Sequence, residues 1–192
     1  MQSARRKIIK GRVAMNWKKA WGHLRTITKH RHEVIRHCKK AGIFRQGLRH
    51  DLSKYTPAEF LVGIRHYSDG KKSPNERERE LYGHSPAWMH HKGRNRHHFE
   101  YWQDYNPTAG KTMPVKMPVR FFKELICDRI AASKIYQGAA YHEAHPLEYF
   151  KKSRAKEEMH PETAAITEKM LRLLAEQGED VMFAELKKLK EY

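Results

Sequence analysis

His50 and Asp51 stand side by side in His50-Asp51-Leu52-Ser53-Lys54, an imidazole next to a carboxylate. With 14 histidines and five aspartates in 192 residues, about 0.4 such pairs would arise by chance, so the doublet alone says little. Its companions say more. His30 lies twenty residues earlier, and the stretch His90-His91-Lys92-Gly93-Arg94-Asn95-Arg96-His97-His98 carries two histidine pairs. Asp128 follows thirty residues later. Imidazole and carboxylate suit a divalent transition metal (Mn, Fe, Co, Ni or Zn), and no paired thiolates narrow the choice. An ion held by three or four such groups keeps open positions, acidifies its water and polarises a phosphoryl oxygen. A second ion nearby would clamp both the attacking and the leaving oxygen. Lys54, Lys92, Arg94 and Arg96 could hold the remaining phosphate charge, and Asn95 could orient substrate or water.

Helices must position these residues. Over 16–40, at about 100° per residue, Trp17, Trp21, Leu24, Ile27, Val34, Ile35 and Cys38 share one broad face. His30 sits roughly 40–60° from Ile27 and Val34, at the edge of that face, where a helix-flank histidine in the 23–30–37 series would also fall. If a helix continues from His50 to Lys54, positions 51 and 54 share a side. Thr56-Pro57-Ala58-Glu59 reads as a capping box opening a helix that runs to about Tyr67. A loop over 68–74 precedes a short charged helix, and Ser85-Pro86 is a second start signal. Residues 105–118, with three prolines and Gly110, read as an irregular loop. Then comes a helix over about 119–138 in which Asp128 interrupts the apolar series Phe121, Leu125, Ala132 and Ile135. An unpaired carboxylate there would cost several kcal/mol, so it needs an Arg or Lys partner or a metal. Further helices are expected over 147–158, 162–176 and 180–190, and no segment alternates well enough for a strand. The expected fold is all-α, one domain of about seven to nine helices over 15–192 after a basic mobile arm at 1–14. Its motif-bearing core spans about 24–136 and its C-terminal helices 146–190.

The ordered set resembles the HD-domain superfamily of metal-dependent phosphohydrolases. The wording HDLSKYTPAEF, HHKGRNRHHFEYW and ICDRIAASK is similar to that of an uncharacterised bacterial and phage family of HD-like proteins. The resemblance implies an HD-like helical bundle with His30, His50, Asp51 and Asp128 as metal ligands. His91 (or His90) and His98 (or His97) would be an additional pair for a second ion. It makes Asp51 and Lys54 the catalytic residues, with Lys54, Lys92, Arg94 and Asn95 toward the substrate phosphate. The implied activity is hydrolysis of a nucleotide or another small phosphate ester. One branch of the superfamily implies instead a di-iron oxygenase on the same cage.

Charge adds a non-catalytic alternative. The net charge of +17 is concentrated at one end, where residues 1–54 hold 16 Lys and Arg against Glu33 and Asp51. Such a segment suits phosphates, so a basic helical module binding nucleic acid through residues 1–54 is the third reading. Only Cys38 and Cys127 occur, which excludes a disulfide scaffold and a zinc ribbon and suits a reducing cytoplasm. No export signal pattern opens the sequence, and the longest apolar run, Phe60–Ile64, is far too short for a transmembrane segment.

Overall fold

Asn16 opens the first helix: its side-chain oxygen accepts the Lys19 N–H at 3.1 Å, and α1 then runs Trp17–Lys40. The computed structural model describes residues 16–70 and 72–192, so the arm expected at 1–14 lies outside the described residues. After α1 come α2 (Phe44–Gly47), a 3-10 turn (Leu52–Tyr55), α3 (Pro57–Arg65), α4 (Pro74–Tyr82) and α5 (Pro86–Arg94). A second 3-10 turn, Phe99–Tyr101, leads into β1 (Gln103–Asn106) and β2 (Lys111–Pro114). The chain closes with α6 (Val119–Gln137), a 3-10 turn (Gly138–Ala140), α7 (His145–Lys152), α8 (Ala155–Glu158) and α9 (Pro161–Lys188). The described residues thus form one mostly all-α domain with nine α-helices. None of the described helices is long and apolar enough to cross a membrane.

α6 is the central element. It buries Phe122, Leu125, Ile126, Cys127, Ile130 and Ala131 against Val34 and Cys38 of α1, Phe150 of α7, and Leu171, Leu174, Met182 and Leu186 of α9. Truncating any one of these fully buried large side chains to alanine would cost about 2–5 kcal/mol, so α1 and α6 are rigidly coupled.

Three expectations change. Trp17 and Trp21 are 74% and 68% exposed, because the buried face of α1 is Ala20, His23, Ile27, His30, Val34, His37 and Cys38. His37 occupies an inward position there because it meets partners a hydrophobic count does not see. His37, fully buried, donates from Nδ1 to the Cys127 carbonyl at 3.1 Å and faces Glu33 and Glu179 with Nε2 at 3.1 and 3.4 Å. Secondly, part of the loop expected over 105–118 is an antiparallel ribbon pairing Asp104 with Met113 and Tyr105 with Thr112. It shows almost no apolar alternation because neither of its faces is buried. The turn chemistry carries it instead, with Asn106 Oδ1 accepting the Ala109 N–H at 3.0 Å and Gly110 at φ 64°. Thirdly, the 147–158 helix is split at Ser153 into α7 and α8. The separation expected near Gly178 is present as a break within α9, at φ 85°.

Candidate metal centre

α1, the α2–α3 connection, α5 and α6 converge on one buried cluster. Gly47 lets α2 lie directly against α1: a Cβ there would sit 2.6 Å from Cys38 Cβ. Arg31 of α1 then holds the following turn by donating to the carbonyls of Leu48 at 2.5 Å and His50 at 3.3 Å. Helical geometry stops at Asp51, which adopts a left-handed conformation (φ 52°, ψ 27°) before the Leu52–Tyr55 3-10 turn. That conformation costs a non-glycine residue roughly 1–2 kcal/mol, though Asp tolerates it better than most. A continuous helix from His50 to Lys54 is therefore absent, yet the tight turn still brings residues 51 and 54 together.

His30, His50, Asp51 and Asp128 offer ligand atoms all within 4.8 Å of one another, and so do Asp51, His91, His97 and His98. Asp51 belongs to both groups through different oxygens. Its Oδ2 lies 3.2 Å from His50 Nε2 and 3.9 Å from His30 Nε2, whereas Oδ1 lies 3.3 Å from His91 Nε2 and 3.4 Å from His97 Nε2. Asp128 belongs to the first group alone, with Oδ1 3.0 Å from His30 Nε2, while its Oδ2 comes no nearer than 3.8 Å to His97 Nε2. None of these contacts is a hydrogen bond. The Nε2 atoms of His30, His50, His91, His97 and His98 and both Asp51 oxygens are buried without a hydrogen-bond partner. Leaving seven such atoms unpaired would cost about 1–3 kcal/mol each, a penalty a bound cation removes. The spacings fit one as well: ligands about 2.1 Å from an ion stand roughly 3.0 Å apart in an octahedron and roughly 3.4 Å apart in a tetrahedron.

The imidazoles are held from behind. Glu59 of α3 accepts Nδ1–H from His90 and from His91, both at 2.7 Å. Glu124 of α6 accepts from His50 Nδ1 at 2.9 Å, faces His97 Nδ1 at 3.3 Å, and is itself held by Gln46 at 2.5 Å. Protons fixed on Nδ1 leave the Nε2 lone pairs of His50, His91 and His97 facing the cluster. Burial works against charge on His50, but the Asp51 carboxylate outweighs it and the group is pushed up to about 10. Burial also disfavours ionised Glu124, yet its hydrogen bonds with His50 and His97 bring it down to about 2. Asp51 and Asp128 lie well below the carboxylate range: burial opposes this, but His50 and Lys54 hold Asp51 ionised and His30 holds Asp128.

The sequence-derived residues divide clearly. His30, His50, Asp51, His91, His98 and Asp128 are brought together. His97, expected only as a substitute for His98, joins it, because residues 96–98 form a turn rather than a helix and both rings face inward, 4.1 Å apart. His90 is turned away onto Glu59. Lys54 Nζ approaches Asp51 Oδ2 to 2.6 Å, outside hydrogen-bond geometry, at the partly exposed mouth of the cluster. Asn95 is not free for substrate: its amide donates to Ser53 Oγ and to the His91 carbonyl, both at 2.8 Å, tying α5 to the Asp51 turn. Arg96 lies over the Tyr101 and Phe121 rings, and Arg94 reaches the His90 carbonyl, so neither is engaged at the cluster. Lys92 is half-buried and makes no hydrogen bond or ion pair with the cluster.

Two carboxylates that hold the clustered histidines, Glu59 and Glu124, are not singled out by the sequence. Glu59 fits a capping box by its spacing, but Thr56 caps nothing with its side chain and donates to the Ser53 carbonyl instead, while Glu59 accepts from the histidines. Glu124 carried a usable signal: it lies one turn before Asp128 on the same face of α6.

These features define a helical protein with a buried, histidine-rich site, one carboxylate shared by two residue groups that could hold a metal ion. The chain belongs to a family of unknown function, DUF5662, whose model matches residues 19–173. No curated protein and no solved structure matches it.

Proposed function

We propose that this protein is an HD-type metal-dependent phosphohydrolase acting on a nucleotide or another small phosphate ester. One observation carries the reading: five imidazole Nε2 atoms and both Asp51 oxygens, buried and unpartnered, converge with Asp51 shared between two ligand groups. His30, His50, Asp51 and Asp128 would hold one divalent ion, and Asp51, His91, His97 and His98 a second. Divalent ions held this way supply Lewis acidity and acidify bound water. Glu59 and Glu124 keep the imidazoles in the ligating tautomer and orientation. Lys54, at the mouth, would hold a phosphate oxygen and offset charge developing on it. The Asp51–Lys54 ion pair keeps that ammonium in place before substrate arrives.

The test is elemental analysis of the purified protein together with a phosphate-ester panel assayed with added Mn, Fe, Co, Ni or Zn. Bound metal and chelator-sensitive release of phosphate are expected. Iron with an oxygen-dependent visible spectrum and no phosphate release would overturn the reading in favour of an oxygenase. Absence of metal under every loading condition would remove it altogether.

A further inference from the structure

The solvent face of α1 is unlike the rest of the surface. Over 16–40 the sequence holds eight Lys and Arg against one acid, Glu33. Taking about 100° per residue, Lys18, Trp21, Arg25, Lys29, His32 and Arg36 fall within roughly 80° of one another. At 1.5 Å per residue the stripe is about 27 Å long. Arg36 and Lys40 take acidic partners, but among the described residues Lys18, Arg25 and Lys29 have none within ion-pair distance. Trp21, expected inside, stands 68% exposed among these cations.

A groove of about 400 Å³ opens on this stripe, lined by Lys18, Trp21, Arg25, Lys29, Tyr67 and Asp69 among others. Its wall is built closely. Gly22 admits the Tyr67 ring where a Cβ would meet it at 2.5 Å, and Thr26 Oγ1 lies 3.3 Å from the Tyr67 hydroxyl. We infer that the solvent face of α1 binds single-stranded nucleic acid, with phosphates on Lys18, Arg25 and Lys29 and a base stacked on Trp21. This goes beyond the hydrolase reading and does not rest on it.

Charge selects an anionic occupant. Residues 1–14 of the sequence carry five basic residues and no acid, so their charge does not suit them as the occupant. An unpaired strand is favoured over a duplex because stacking on Trp21 needs a base face that pairing hides. A membrane surface fits less well. An interfacial helix keeps its aromatic side opposite its cations, whereas here Trp21 lies among them and the opposite side of α1 is in the core.

The experiment measures fluorescence anisotropy of a labelled oligothymidylate, as a function of salt, for the wild type, Trp21→Ala and Lys29→Ala. All four substituted residues are exposed and none belongs to the candidate ligand groups, so circular dichroism and metal content should match across the set. Wild-type binding should weaken as salt rises, and Trp21→Ala should raise Kd by about tenfold with little change in salt slope. Lys29→Ala should lower the slope by roughly 0.7, the share of one phosphate contact on a single strand. Loss of binding in Lys18→Ala/Arg25→Ala would support the same face. Absence of oligonucleotide binding, equal binding by all variants, preference for a duplex of the same sequence, or retention on anionic vesicles in place of the oligonucleotide would each overturn the proposal.

Discussion

Asp51→Asn is the sharpest probe of the metal centre, because one side chain serves both ligand groups with separate oxygens. Asparagine keeps one oxygen and replaces the other with an amide nitrogen whose lone pair is not available for coordination. In one rotamer the oxygen faces His30 and His50, where Asp51 Oδ2 now lies 3.9 and 3.2 Å away. In the other it faces His91 and His97, at 3.3 and 3.4 Å from Oδ1. Neither rotamer serves both. The His30 group retains the carboxylate of Asp128, while the His91 group is left with neutral imidazoles, so the ion beside Asp128 is the one expected to survive. Metal content should fall from two ions per chain to one. Affinity for the remaining ion should drop at least tenfold, about 1.4 kcal/mol, since even residues that merely orient a ligand are worth that much. Folding should be spared, because asparagine tolerates the left-handed backbone at position 51 as well as aspartate does. The assay is elemental analysis after dialysis, chelator competition on the same samples, and circular dichroism as the folding control. A folded Asp51→Asn protein that keeps two ions at wild-type affinity would refute the shared-ligand argument.

Lys54→Ala should leave metal content at or above the wild-type level, since the ammonium no longer competes for Asp51, while phosphate-ester turnover falls by about tenfold or more; metal loss matching that of Asp51→Asn would make Lys54 a structural residue. Glu59→Ala should weaken the ion at His91, His97 and His98 by about 10–100-fold and spare the one at His30, His50 and Asp128, which Glu59 does not touch; equal loss of both ions in chelator competition would contradict this. In the metal-free protein, His50 is raised from 6.5 to about 10, so its contribution to stability is complete below about 6.5 and is lost as pH rises through 10. Metal binding must expel that proton, so apparent affinity should climb with pH across the same window, by up to about tenfold per unit per proton released, and a flat chelator-competition profile would refute the assignment.

The sequence by itself determined the helices and the ligand types. Ser85 with Pro86, and the gap around Gly178 between the last two helices, are local signals, and local hydrogen bonding or backbone conformation reads them the same way wherever the chain goes. His30, His50, Asp51, His91, His98 and Asp128 were legible because order and residue type survive without coordinates. Tertiary structure decided the rest. Which side of α1 faces the core depended on His37 finding Glu33, Glu179 and a carbonyl of α6, and a hydrophobic count placed Trp17 and Trp21 on the wrong side. Glu59 fitted a local capping rule, but its partners lie about thirty residues away on α5, beyond any local pattern. His97 and Asn95 exchanged their expected standing because a turn after α5 aims side chains that helical spacing would have separated. The sharing of Asp51 between two candidate ligand groups rests on a left-handed backbone and on four elements meeting around it. Residue type sets which atoms can bind an ion; only the fold sets where their lone pairs point, because that direction is fixed by groups distant in the chain.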